Sequence, residues 1–232
     1  MKLLKDWTLF EKGWLVTFTL VNVYLFFVWD DTLLGFITSI SGMLCVVFVA
    51  KGKISNYYFG IIQTGTYAYI AYGYGLYGEV MLNALFYFPL QFVGLYLWTK
   101  HKTKQTVQGE EIQVSVLTKK GWTLTLSSFV VIFVLYAYLL EKIGGNVVWI
   151  DSATTTLSVI AQLLMLKRFT EQWLFWIAVN VLSIALWLKA LMLQGGNDVS
   201  MLVMWSAFLI NSIYGYYNWS KVYKKQKGEE IA

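Results

Sequence analysis

The chain is predicted to be an all-α integral membrane protein with eight transmembrane helices, on three observations. Of its 232 residues, 58% are hydrophobic and 13% charged, against about 25% charged in ordinary soluble domains, so it cannot cover itself with polar surface. Eight apolar runs follow one another, each near the roughly 20 residues that a hydrocarbon core requires. All but two of the eighteen Lys and Arg residues fall on alternate connections between those runs.

Taken in order, the runs are 14–29, 32–50, 54–74, 76–99, 122–140, 147–166, 169–188 and 199–219. The first follows Lys2, Lys5 and Lys12 in the manner of a signal peptide. No small-x-small cleavage pattern follows it and Asp30-Asp31 comes next, so it reads as a retained helix. The fourth carries the one proline, Pro89. The connection from Lys100 to Gly121 is the only long one. It is polar with a short alternating piece, Ile112-Gln-Val-Ser-Val-Leu117, and reads as a cytoplasmic linker rather than a domain. Lys51, Lys53, Lys100, Lys102, Lys104, Lys119, Lys120, Lys167, Arg168, Lys221, Lys224, Lys225 and Lys227 fall on the same side as the N-terminal lysines. Lys142 and Lys189 fall on the other, with Asp30, Asp31, Asp151 and Asp198. The positive-inside rule then puts both termini in the cytoplasm, and a seven-helix count would break the alternation. The net charge of +5 therefore reports topology rather than a nucleic-acid partner.

Two parts of the chain resemble each other. Gly94-Leu-Tyr-Leu-Trp-Thr-Lys100 closes the fourth run and Gly215-Tyr-Tyr-Asn-Trp-Ser-Lys221 the eighth. The third and seventh runs align from Lys51 and Lys167, which sets Asn56-Tyr57 beside Gln172-Trp173, Phe59 beside Phe175, and Gln63-Thr64 beside Val179-Asn180. The chain thus reads as an N-terminal helix (1–30), a three-helix repeat (31–100), the linker (101–121), a linking helix with its outer loop (122–146), a second three-helix repeat (147–221) and a cytoplasmic tail (222–232). Both repeats start outside and finish inside. They are expected to be parallel copies, a 1+3+1+3 arrangement of SWEET type with a substrate site near the midplane between them.

The midplane is where the carboxamides are. In Trp173-Leu-Phe-Trp-Ile-Ala-Val-Asn180, Trp176 and Asn180 are four residues apart and share a helix face. Asn180 lies about ten residues past Lys167, Arg168 and Glu171, roughly 15 Å deep at 1.5 Å per residue. Gln63 is its near-equivalent in the other repeat. Asn83 and Gln91 on the fourth helix, and Asn211, Ser212 and Tyr214 on the eighth, add amides and hydroxyls. Trp173 lies nearer the interface. Trp7, Trp14, Trp29, Trp98, Trp122, Trp149 and Trp219 fall at helix ends and read as interfacial anchors, and the tyrosines of the third run as packing. Glu79 and Asp151 stand close to outer ends and Glu171 to an inner one, so no carboxylate sits mid-helix for a proton relay or a Na⁺ site. One His, one Cys, no Walker A and no HExxH leave no nucleophile and base at a common depth, which argues against an enzyme and gives no reason to expect a cofactor or metal.

At Lys53-Ile-Ser-Asn-Tyr-Tyr-Phe-Gly60, Trp149-Ile-Asp-Ser152 and Gln172-Trp-Leu-Phe-Trp-Ile-Ala-Val-Asn-Val-Leu-Ser183, together with the Gly-x-x-x-Trp-Ser/Thr-Lys helix ends, the chain resembles the PnuC family of bacterial vitamin transporters from about Asp31 to Lys221. The resemblance implies a SWEET-like fold in the inner membrane and facilitated diffusion of nicotinamide riboside. It also implies association as a homotrimer and trapping of the vitamin by a cytoplasmic nicotinamide riboside kinase. Relatives in the family carry thiamine or deoxynucleosides, so thiamine, another nucleoside or a sugar remains the alternative cargo. Residue by residue, the resemblance puts Trp176, Asn180, and Asn211 with its neighbours in the binding region. Gln91 and Gln63 stand where a relative carries Asn, keeping a carboxamide at both places. A flat cationic pyridinium suits indole and phenol faces, and ribose hydroxyls suit Asn and Gln.

Overall fold

In the computed structural model, which describes residues 7–28, 32–73, 77–103, 109–142, 148–194 and 199–228, the chain is all helical apart from two isolated bridges. The helices are α1 (Leu9–Val28), α2 (Leu33–Ala50), α3 (Asn56–Gly73), α4 (Tyr77–Met81), a π-helical segment (Leu82–Tyr87), α5 (Phe88–Lys100), α6 (Lys119–Lys142), α7 (Val148–Leu166), α8 (Gln172–Gln194) and α9 (Val199–Gln226). Because α4, the π segment and α5 form one continuous rod, there are eight rods among the described residues, in the order expected. Lys2, Lys5, Asp30, Asp31, Trp29, Lys104 and Asp198, and the side chains of Asp151 and Lys189, lie outside the described residues.

Local chemistry sets the ends. α1 starts earlier than its apolar run because Thr8 and Glu11 form a capping box: the Glu11 carboxylate accepts from the Thr8 backbone N–H at 2.8 Å and the Thr8 hydroxyl from Glu11 N–H at 3.2 Å. Thr32 caps α2 by accepting from Gly35 N–H at 2.9 Å. In the fourth rod Pro89 has no N–H to give the carbonyl four residues back, and its ring crowds that carbonyl. The wider π turns just before it, where Phe88 N–H bonds the Asn83 carbonyl, carry the rod past the proline without a break.

Among the described residues, five helical stretches are long and apolar enough to cross a membrane: Leu9–Val28, Leu33–Ala50, Glu79–Lys100, Lys119–Lys142 and Val148–Leu166. α3 is more polar than these for a packing reason that the polar residues of α8 and α9 share. α3 lies against α2 and α5, and α8 and α9 against each other, with α7 on α8 and α2 on α9, so their polar faces meet protein rather than lipid. α1 lies outside on α2 and α9, and α6 outside on α7.

At one end of the bundle the linker forms a strap. Glu111 N–H bonds the Gly52 carbonyl at 2.9 Å, the Glu111 carboxylate accepts from Ile54 N–H at 2.9 Å, Ser115 N–H bonds the Arg168 carbonyl and Thr170 N–H bonds the Ser115 carbonyl, both at 2.9 Å. The side chain of Gln226 on α9 accepts from Val114 N–H and donates to Glu110. The alternation in the linker is therefore functional in packing: Ile112 and Val114 turn inward, fully or nearly buried, against Val49, Ile54, Tyr57, Met165, Trp173 and Val222. This is more than the expected simple linker, because its backbone groups are satisfied by both halves of the molecule.

Trp98 and Trp219, expected as interfacial anchors, are instead core residues at 0% and 1% exposure. Each indole N–H is satisfied across the bundle, Trp98 by the Met165 carbonyl at 3.2 Å and Trp219 by the Val49 carbonyl at 2.9 Å. Glycine makes the space. A Cβ on Gly94 would stand 2.2 Å from the Tyr57 ring, and one on Gly215 2.6 Å from the Trp173 ring. Those rings in turn meet Trp98 and Trp219 edge-on, at 5.2 and 5.9 Å between centroids. Trp149, exposed at 64%, does fit an outward-facing anchor.

Candidate functional site

Above this closed end lies a cavity of about 580 Å³, within the size range of small-molecule sites. It lies between α2, α3 and the fourth rod on one side and α7, α8 and α9 on the other, with Tyr136 and Leu140 of α6 at its edge.

Six of the eight residues singled out in the sequence line it: Trp173, Trp176, Asn180, Gln63, Asn83 and Gln91. Trp176 is half-buried, and its ring lies 6.3 Å from that of Tyr87 at 48°. Asn180, 2% exposed, donates to the Ser212 hydroxyl at 2.9 Å. Asn83 donates back to the Glu79 carbonyl at 2.9 Å and to its carboxylate at 3.3 Å. Gln91 is buried against Gly60, where an added Cβ would stand 2.2 Å from its side-chain oxygen. Glycine at 60 is what admits the long amide to this position.

Asn211 and Tyr214 are not in the wall. Asn211 donates to the Val46 carbonyl at 2.9 Å, tying α9 to α2. Tyr214 donates to the Glu11 carboxylate at 2.8 Å. Glu11 also holds Lys51 at 2.7 Å, both side chains almost fully buried, and the Lys51 ammonium sits 5.0 Å from the centre of the Trp7 ring. This cluster fastens α1 to α2 and α9. Helix geometry explains why Asn211 misses the cavity while its neighbour Ser212 lines it: adjacent residues on a helix point about 100° apart.

Sequence reasoning missed the contribution of α7. Thr154, Ser158 and Gln162 line the cavity and are all buried. Their four-residue spacing was the available signal. Tyr87, Tyr67, Thr64, Ser183 and Ser212 also line the wall. So does Glu79, which shares a stripe with Asn83, Tyr87 and Gln91. Four-residue spacing drifts round an α-helix of 3.6 residues per turn, and the π segment absorbs the drift, keeping all four on one face.

Among the described residues, four polar atoms in this wall are buried without a hydrogen-bond partner: the Gln91 oxygen, the Gln162 amide nitrogen and the indole nitrogens of Trp173 and Trp205. Unsatisfied buried polar groups cost about 1–3 kcal/mol each. Other such atoms lie elsewhere in the bundle, at Asn22, Asn56 and Gln172, and those in the wall are the ones placed to take a ligand as their partner.

A sequence model described as nicotinamide mononucleotide transporter matches residues 32–221. The chain is 42% identical over 229 residues to the nicotinamide riboside transporter PnuC of Neisseria mucosa, covering 98% of this chain and 87% of that one. It is 40% identical over 219 residues to the protein of that name from Haemophilus influenzae, covering 94% and 93%. Its fold matches a crystal structure of the vitamin B3 transporter PnuC with a TM-score of 0.87, at 41% identity and 94% coverage of both chains. These relatives are transporters, not enzymes, and by the matched model and identities over nearly its whole length the chain belongs to the nicotinamide mononucleotide transporter family of membrane proteins.

Proposed function

We propose that the protein carries nicotinamide riboside across the bacterial inner membrane by facilitated diffusion, in the cavity between two parallel three-helix repeats. The observation that carries the reading is the wall itself. Trp176 and Tyr87 offer adjoining aromatic faces for a flat pyridinium, while Asn180, Gln63, Gln91, Asn83 and Gln162 offer amides for a ribose and a carboxamide. Trp173 supplies an indole N–H toward the closed end. Asn211 and Tyr214 act at one remove, holding α9 and α1 against the walls.

The 1+3+1+3 arrangement, with the boundaries read from the sequence, is supported by paired contacts. Residues matched from Lys51 and Lys167, or from Gly94 and Gly215, repeat one another: Tyr57 against Gly94 and Trp173 against Gly215, Trp98 on Met165 and Trp219 on Val49. α2 packs on α9 as α5 packs on α7. Both termini are cytoplasmic in this reading, which rests on the charge partition, and the strap is then the cytoplasmic closure. The same reading includes a homotrimer, for which α6 has spare surface since Ala137 is its one buried residue among those described. Trapping by a cytoplasmic nicotinamide riboside kinase completes it: transport that only equilibrates needs a reaction that removes the product.

Purified protein in proteoliposomes is expected to equilibrate labelled nicotinamide riboside, with membrane potential clamped because a cation responds to it by about 2.3 kcal/mol per 100 mV. Accumulation driven by a pH or Na⁺ gradient would overturn facilitated diffusion. Uptake of thiamine in place of the riboside would overturn the cargo.

A further inference from the structure

Two asparagines of the wall are turned the same way. Asn180 donates its amide nitrogen to the Ser212 hydroxyl at 2.9 Å, and Asn83 donates its own to the Glu79 carbonyl at 2.9 Å. A carboxamide has one donor end and one acceptor end, so a bond at the nitrogen fixes where the oxygen points. Among the described residues neither side-chain oxygen takes a hydrogen bond, and neither is sealed inside the protein as an unpartnered atom, so both open onto the cavity that their residues line. The two also share a level. Trp173 and Trp98 pack with Ile112 of the strap, so α8 runs away from the strap and the fourth rod runs toward it. Asn180 therefore stands one turn beyond Trp176, and Asn83 one turn beyond Tyr87, both on the side remote from the strap. A flat ring held at the Trp176 and Tyr87 faces has two hydrogen-bond acceptors one helical turn, about 6 Å, further along. A sugar joined directly to that ring lies there.

We propose that Ser212 is a positioning residue for the sugar: it holds the Asn180 oxygen toward the cavity, where that oxygen and the Asn83 oxygen accept from the adjacent 2′- and 3′-hydroxyls of a ribose. The inference rests on the proposed cargo and adds how the cargo lies, with its sugar away from the strap and its carboxamide toward it. On the strap side, Gln91 is one turn past Tyr87 and Gln162 one turn before Met165, which packs with the strap. There the unpartnered atoms are of both kinds, the Gln91 oxygen as acceptor and the Gln162 and Trp173 N–H groups as donors, and a ligand carboxamide is itself donor and acceptor. On the sugar side the asparagines offer acceptors, the complement of hydroxyl protons. Without the Ser212 hydroxyl the Asn180 amide loses the partner that orients it. Its nitrogen is then free to turn to the cavity, and an amide nitrogen accepts no proton from a hydroxyl.

The test is calorimetric titration of the full-length detergent-purified protein with nicotinamide riboside and with its 2′-deoxyriboside, which share ring, carboxamide and charge and differ by one hydroxyl. Wild type is expected to bind the riboside about five- to tenfold more tightly, the worth of one hydrogen bond. In Ser212→Ala the two affinities should come within about twofold of each other, through weaker riboside binding, while Ser212→Thr, which keeps the hydroxyl, should retain the preference. An unchanged ratio in Ser212→Ala, or a parallel loss for both ligands, would show a structural role and overturn the inference. A preference that Ser212→Thr also loses would place the effect on side-chain shape and overturn it too. Should Ser212→Ala not fold, Asn180→Asp decides, since a carboxylate accepts whichever way it turns: a retained preference supports the inference and a lost one overturns it. Equal binding of both ligands by wild type overturns the inference and leaves the cargo standing, whereas binding of neither overturns the proposed cargo itself.

Discussion

Tyr57 and Trp173 both drive an aromatic ring onto a glycine of the last helix of their own half, Gly94 and Gly215, and the tryptophan four residues further on bonds a carbonyl of the opposite half. One turn higher the likeness stops. Gly60 on α3 matches Trp176 on α8, Gln63 and Thr64 match Val179 and Asn180, Tyr67 matches Ser183, and Gln91 matches Ser212. The closed end is built of near-equivalents and the cavity of unlike pairs at the same positions. In the proposed repeat arrangement, two halves that close on each other meet similar surfaces from both sides, so similar residues serve. A riboside has a ring at one end and a sugar at the other, and a symmetric wall would match only one of them. The strap follows the closed end: Glu111 reads the backbone of Gly52 and Ile54 as Ser115 reads that of Arg168 and Thr170, positions that correspond in the alignment.

The comparison can be broken first at the strap. Ile112→Ala empties a fully buried site and should lower unfolding stability by about 2–4 kcal/mol. A loss below half of that in chemical denaturation of the purified protein would mean that the strap lies on the bundle without closing it. Gly94→Ala and Gly215→Ala come next, at about 1–3 kcal/mol each, because each methyl meets a buried ring. The sharper expectation is that the two losses are alike. A large effect from one and none from the other would end the idea of an equivalent closure.

At the cavity, unequal effects are expected from matched positions. Trp176→Ala should weaken riboside binding about tenfold, the loss of roughly 1–2 kcal/mol of stacking on a desolvated cation. Asn180→Ala should do about the same by unpairing a ligand group. Thr64, the match of Asn180, already bonds the Gly60 carbonyl at 2.7 Å, so Thr64→Ala should shift the dissociation constant less than threefold, or under about 0.7 kcal/mol. Unchanged dissociation constants for Trp176→Ala and Asn180→Ala in calorimetry, with thermal stability lowered, would mark a packing face instead of a site.

The smallest effect on stability belongs to Arg168, which sits at φ 63° just where its match Gly52 also has φ 63°. A left-handed arginine costs roughly 1–2 kcal/mol that glycine avoids. Its side chain recovers part of this by donating to the Gln113 carbonyl at 3.1 Å. Arg168→Gly should therefore change stability by less than about 1 kcal/mol in either direction. A loss above 2 kcal/mol would make the guanidinium, rather than the turn, the reason for the strap's attachment.

Hydropathy and charge order determined the eight rods, the long connection and the depth of each polar residue, because helix rise per residue converts sequence distance into depth. They sufficed to place Trp176, Asn180, Gln63, Gln91, Asn83 and Trp173 within the range of depth that the cavity spans. Tertiary packing decided direction. Ser212 faces the cavity and Asn211 faces α2, and no reading of depth distinguishes neighbours that point about 100° apart. The polar face of α7 was written at four-residue spacing, but only the approach of α7 to the fourth rod made it a wall. Trp98 and Trp219 carry the sequence marks of interfacial anchors, and it took glycines four residues away, each occupied by a ring from another helix, to bury them. The stripe from Glu79 to Gln91 depends on the π segment, since regular α-helical turns would have rotated its ends apart. Depth is a property of one helix and legible in its residues. Facing is a property of helix pairs, and it exists only once they pack.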